Sequence, residues 1–169
     1  MSKKKVLSNN INVAGFFRMK IVDHDQQTGK TKIVGDSGWQ KNLVTNLGFQ
    51  YYLISPAAAL TGSSQVSYFA LGTGGAPAVT DTSLANELTD ATNCRFTMTP
   101  SVVSSKTLQM VGTLASSIIT ANRTINNVGV FAVSSVTAGS MLCGNTYATS
   151  QLQTNQSVNV TYQLRFATA

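Results

Sequence analysis

The sequence predicts a mostly β protein, an antiparallel β-sandwich or jelly-roll-like fold with one or two short helices. Three observations carry this. Val158, Val160, Tyr162, Leu164 and Phe166 alternate with Asn159, Thr161, Gln163 and Arg165, the period-two pattern of a strand with one buried face. From Arg95 onward, strand-like runs follow one another, separated by segments of Ser, Thr, Asn and Gly. Only Val44–Ile54 carries apolar residues at helical spacing over more than a turn or two.

Residues 1–10 are expected to form a flexible basic N-terminal arm, and residues 11–169 a single domain of ordinary size with a real core. Ile11–Val22 reads as a strand in which Phe17, Met19 and Ile21 share one face. Asp25–Lys30 reads as a turn, with Gly29 free to take a positive φ, and Thr31–Val34 as the returning strand of a hairpin. In Val44–Ile54, Leu43, Leu47, Tyr51 and Ile54 share a face, Thr45 or Asn42 caps the start and Pro56 stops the helix. Gly48 inside a helix costs ~1 kcal/mol against Ala, which close packing on a sheet would explain. Val66–Leu71 reads as a short strand. Asp81–Leu88 reads as one or two helical turns with Asp81 or Thr82 as N-cap and Leu84 and Leu88 inward. The strands Arg95–Thr99, Lys106–Ala115, Ile125–Val133, Ser140–Tyr147 and Val158–Phe166 complete the chain.

Composition narrows the function classes. Charged residues make up 11% of the chain and hydrophobic ones 43%, so the chain is neither disordered nor covered with the charge of a free cytosolic surface. A polar, weakly charged exterior suits a protein packed against neighbours. The net charge of +6 is concentrated in residues 1–41, which hold eight of the 12 Lys and Arg residues. Lys3, Lys4 and Lys5 form too short a run, without interleaved aromatics, for a nucleic-acid patch. They suit a solubilising tail or an arm docking on an acidic neighbour. No stretch approaches a membrane span, and no apolar run after Lys5 is long enough for a secretory leader. Cys94 and Cys143 form no CxxC pair and are expected as buried thiols, although a disulfide between them stays open.

Chemistry-bearing residues are few. Leu71-Gly72-Thr73-Gly74-Gly75-Ala76-Pro77 is glycine-rich, but no Lys or Arg lies between Lys41 and Arg95 to neutralise a phosphate, so it reads as a turn. The single His, His24, lies between Asp23 and Asp25. Neighbouring residues at a hairpin turn do not converge on one metal, and a solvated cluster is expected. No GxSxG elbow nominates a nucleophile, and Glu87 and Asp90 read as an ordinary surface pair. The expectation is therefore a non-enzyme with no cofactor, no metal site and no catalytic residues. Trp39 is expected in the core or in a subunit contact. One each of Phe16/Phe17 and Tyr68/Phe69 is expected to face away from the core.

Several segments, in order, resemble a known family. Gly38-Trp39-Gln40-Lys41-Asn42-Leu43-Val44-Thr45-Asn46-Leu47-Gly48 is followed by Tyr68-Phe69-Ala70-Leu71-Gly72-Thr73-Gly74 and a loop containing Pro77. Then come Asp81-Thr82-Ser83-Leu84 with Glu87-Leu88, Asn127-Val128-Gly129-Val130-Phe131, and the alternating strand Ser157–Phe166. This order resembles small structural proteins of tailed bacteriophages, described as tail-fibre, minor tail, baseplate or head-decoration components. It departs from them at Asn127-Val128, where many relatives carry an acidic residue. The resemblance covers about residues 15–167. It implies a non-enzymatic structural component of a virion, assembling through β-domain contacts and the arm as a tail, fibre or baseplate-adaptor part. The alternative is a capsid decoration (cement) protein, and a further one is a carbohydrate- or receptor-binding module using Trp39, Tyr147 and the loop at Asn145. Expected partners are other virion proteins, tail or major capsid protein, and further copies in a trimer or ring. Neither membrane nor nucleic acid is among them. Lys3, Lys4, Lys5 and Trp39 are the candidate interaction residues.

Overall fold

The computed structural model describes residues 11–50, 66–89, 94–136 and 141–168. β1 (Ile11–His24) is the strand that the alternation requires: Phe17, Met19 and Ile21 are buried, and Arg18 and Lys20 are not. The turn after it closes on Asp25, whose carboxylate accepts from the backbone N–H groups of Gln27 and Thr28 and from the Thr28 hydroxyl, while Gly29 takes φ +67°. β2 (Thr31–Asp36) then returns along β1. β3 (Gln40–Val44), a strand not expected from the sequence and overlapping the start of the expected helix, is a second antiparallel partner of β1.

The far edge of β1 is filled from Ile11 to Asp23 by β9 (Gln156–Thr168). β2 and β3 must therefore share the near edge, β2 opposite Lys20–His24 and β3 opposite Gly15–Phe17. They form one lane broken at Ser37–Trp39, where Gly38 takes φ +64° and Ser37 bonds to both backbone groups of Met19. The remaining strands are β4 (Tyr68–Gly72), β5 (Phe96–Ser104), β6 (Thr107–Leu114), β7 (Arg123–Phe131) and β8 (Met141–Leu152). The antiparallel ring runs β1-β3-β8-β7-β4-β5-β6-β9 and returns to β1. The mostly β expectation holds, but the architecture is a closed, barrel-like sheet of eight strands with β2 appended, not a sandwich. The cause is β9: both its edges are occupied, by β6 and β1, so the sheet has no terminal strand to leave open. Period-two alternation is the same whether a sheet faces a second sheet or its own far wall.

An eight-stranded ring is just wide enough to be filled by its own side chains. Phe17, Phe69, Met110, Ile125 and Tyr162 are among those that fill it, none more than 1% exposed. The inward row of β9, Val158 to Leu164, is fully buried as its alternation foretold, and Phe166 packs on the same core. Tyr162 lies opposite Phe17, and its ring fits because its hydroxyl end reaches over Gly15 of β1; a Cβ there would lie 2.5 Å from the Tyr162 oxygen.

Two helix expectations resolve differently. α1 (Asn46–Phe49) is a single turn capped by the Thr45 hydroxyl, which accepts from the Gly48 N–H. Gly48 is there because a Cβ would sit 2.0 Å from the Leu142 carbonyl oxygen. Residues 51–54 of the expected helix lie outside the described residues. Asp81–Leu88 is not helical. Asp81 accepts back from the Ala78 N–H instead of capping forward, Asn86 takes φ +49°, and Glu87 forms a β-bridge to Gly72. The backbone pairs with β4, and Leu84 packs on a second apolar cluster with Ala70, Phe131 and Met141. The glycines serve this packing: a Cβ on Gly72 would meet the Asn127 amide and the Asn86 carbonyl, and one on Gly74 would meet Ala85.

Glu87 is not the surface residue it was expected to be. Its carboxylate receives a bidentate pair from Arg95 at 2.7 and 3.0 Å, with side-chain exposures of 5% and 0%. Arg95 also donates to the Val133 carbonyl and lies 3.6 Å over the Phe131 ring. The pair clasps the 73–89 loop to the barrel wall. A buried pair of this kind gains little over apolar packing, but losing one partner strands a charge. Glu87→Ala is therefore expected to cost about 3–5 kcal/mol in denaturant unfolding, and Glu87→Leu with Arg95→Met clearly less.

Candidate interaction surfaces

Lys3, Lys4 and Lys5 lie outside the described residues. Trp39 is described, and it is not a core residue: it is 43% exposed. It sits in the break between β2 and β3, where the chain leaves the plane of the sheet. Its indole lies 5.9 Å from the Arg165 guanidinium, which stacks at 4.5 Å over Phe16. Phe16 is thus the outward member of its pair, as alternation required. Phe69 faces inward, and Tyr68 packs on the outer cluster beneath the 73–89 loop.

Register brings together an outer face that is scattered in sequence. Phe16 lies opposite both Lys41 and Gln163, Arg18 opposite Thr161, and Lys20 opposite Asn159 on one side and Asp36 on the other. β6 adds Gln109, Val111 and Thr113 beside Gln163, Thr161 and Asn159. The amides and hydroxyls are already ordered, Thr113 donating to Asn159 at 2.8 Å and Gln163 to Gln109 at 2.8 Å, with Arg165 donating to Gln163. Arg18, Lys20, Lys41 and Arg165 make the face basic, and Asp36 is the acid paired into it. A groove of about 460 Å³ runs between Trp39 and the β6 side chains.

Elsewhere the barrel leaves strand edges open. Among the described residues β2 is paired only on its β1 side, with Ile33 and Val34 exposed at 52% and 47%. β3 reaches β8 only at Leu43 and Val44, so the edge of β8 beyond Asn145 faces β2 across a gap of about 220 Å³ lined by Met19, Ile21, Tyr147 and Ser150. β5 pairs with β4 only at Phe96 and Thr97. Its remainder projects with β6 as a hairpin whose tip exposes Val102 at 79% and Val103 at 55%. Pro100 is tolerated there because an open edge needs no donor.

Other singled-out residues are engaged structurally. His24 Nε2 is 2.8 Å from the Ser157 hydroxyl, Asp23 accepts from the Asn155 amide at 2.5 Å, and Asp25 holds its turn; the three do not converge. Cys94 and Cys143 are buried and form no disulfide with each other. Tyr147 is no surface platform. It packs against Phe17 with ring centroids 6.1 Å apart, and burial pushes its hydroxyl pKa up. The Asn145 amide is used on the Lys41 carbonyl.

The Arg18–Asp36 pair gives the face a pH signature. Hydrogen bonds from Arg18 hold the Asp36 carboxyl at about 2, against an ordinary 3.8. A depressed folded pKa adds stability that is present above pH ~4 and lost as pH falls toward about 2. Both groups are about a third exposed, so the effect is screened. Asp36→Asn is expected to lower the thermal midpoint by no more than ~2–4 °C at pH 7, with the difference closing below pH ~2. Neither comparison with protein-family models nor comparison with curated proteins finds a match to this chain.

Proposed function

We propose that this chain is a non-enzymatic structural subunit of a tailed-phage virion, in a tail, fibre or baseplate-adaptor position. Capsid decoration is the alternative placement. The observation that supports an assembly role is the set of open strand edges with outward Val and Ile. Solitary proteins blunt their edges, because unpaired N–H and C=O groups recruit other chains. Here β2, the outer half of β5 and the second half of β8 all lack a partner on one side among the described residues, and Ile33, Val34, Val102 and Val103 stand beside them. A neighbouring copy or virion protein would cover these edges by strand addition.

Two valines at a hairpin tip fall far short of the ~800 Å² per partner that a stable interface buries. The strand edges and the Lys3–Lys5 segment must therefore contribute. Ile11 pairs with Thr168, and Thr107 with Arg165, so the chain enters β1 at the same end of the barrel as the hairpin tip. The segment and the valines can then grip one neighbour together. The order of the phage-like motifs supplies the virion context.

Cross-linking mass spectrometry on purified virions, read at Lys3, Lys4, Lys5 and Lys106, is expected to link this chain to tail-tube, baseplate or fibre proteins. Links to the major capsid protein would place it on the head. Absence from virions would remove the reading. In solution, Val102→Asp with Val103→Asp is expected to shift the light-scattering mass toward the monomer without lowering the thermal midpoint.

A further inference from the structure

We infer that the outer face of β1, β9 and β6 is a binding site for an acidic oligosaccharide, seated in the groove lined by Arg18, Lys20, Trp39, Gln109, Asn159 and Thr161. The inference does not rest on the assembly reading. It begins from Trp39, whose indole is held in solvent by the β2–β3 break. An exposed indole offers an apolar plate to the C–H face of a sugar ring. Beside it stand the groups that hydroxyls need. Asn159 accepts from Thr113 through its oxygen, which leaves its amide N–H₂ to donate, and Thr161 adds a hydroxyl. The groove is within the size range of small-ligand sites.

Charge decides which sugar. Lys20 lies opposite Asp36 but forms no salt bridge among the described residues, because the Asp36 carboxylate is paired with Arg18. Lys41 and Arg165 extend the positive field along β3 and β9. A carboxylate or sulfate on the sugar would meet Lys20 directly, with Arg18 next to it on the same strand face. Two other polyanions fit less well. Single-stranded nucleic acid needs successive aromatic platforms, and Arg165 already covers Phe16. An acidic protein needs an apolar interface centre, and the groove offers only Val111 besides Trp39.

Trp39 is the only Trp in the chain, so fluorescence excited selectively at tryptophan, and not at the five Tyr residues, reports on this groove. Titration of the full chain with hexagalacturonate is expected to give a saturable change in intensity and emission maximum, weakened by added salt. Lys20→Gln is expected to weaken binding on the order of tenfold. Calorimetry on Trp39→Ala should show binding lost, while Lys106→Gln, on the hairpin tip, should bind as the parent does. If Lys20→Gln lowers the thermal midpoint, Thr161→Val, read the same way, decides. No response to hexagalacturonate at millimolar concentration would overturn the site. An equal response to neutral maltohexaose would overturn its acidic specificity. A response to oligothymidylate without one to the saccharide would assign the face to nucleic acid instead.

Discussion

Pairing of the first strand with the last is the constraint on which the rest of this structure depends. β1 is matched to β9 from Ile11 to Asp23, and β9 is matched to β6 on its other edge. Without the β1–β9 ladder the sheet would have two terminal strands and an interior open to water along its length. With it, Phe17, Met19 and Ile21 of β1 meet Val158, Val160 and Tyr162 of β9 in a single apolar core. The partners are separated by nearly the whole chain, so loop-closure entropy is lost before these contacts form. Topologies dominated by such non-local pairing fold slowly.

Closure also distributes what is left over. Because β9 takes one whole edge of β1, β2 and β3 must divide the other, and the lane breaks where they meet. That break sets Trp39 outside the sheet and leaves the gap between β2 and β8. The two proposals therefore have a common structural origin. The open edges suit contact with other chains, and the face around Trp39 suits a small polar ligand. The opposite wall is unavailable for either, because the 73–89 loop covers it. There Asn127 donates to the Ala85 carbonyl and Arg95 holds Glu87, so the glycine-rich segment that might suggest a phosphate cradle is packed backbone against backbone.

Much of the local structure was legible in the residues. Alternation assigned the inward rows of β1 and β9 correctly, because a strand's side chains change face at every step. The Asp25 turn and the Thr45 cap were readable because each needs only a side chain and a backbone N–H two or three residues away. β3 was missed because Gln40–Val44 is short and runs directly into a helix cap, so its pattern merged with the helical one. Asp81–Leu88 was misread because its spacing fits a helix equally well, and the β-bridge to Gly72 that decides against one is invisible locally.

The sequence by itself determined which face the residues of β1 and β9 take, where the Asp25 turn falls and that Thr45 caps a helical turn. These follow from steric and hydrogen-bond rules that act over a few residues. Tertiary structure alone decided that the sheet closes into a barrel, that Glu87 is buried against Arg95, that Trp39 is exposed and that Tyr147 is not. It alone assembled Arg18, Lys20, Asn159 and Thr161 into one surface, from segments about 140 residues apart. The physical reason is that alternation reports a side chain's face but not its cross-strand neighbour. That neighbour is set by register, and here register follows from the pairing of strands at opposite ends of the chain.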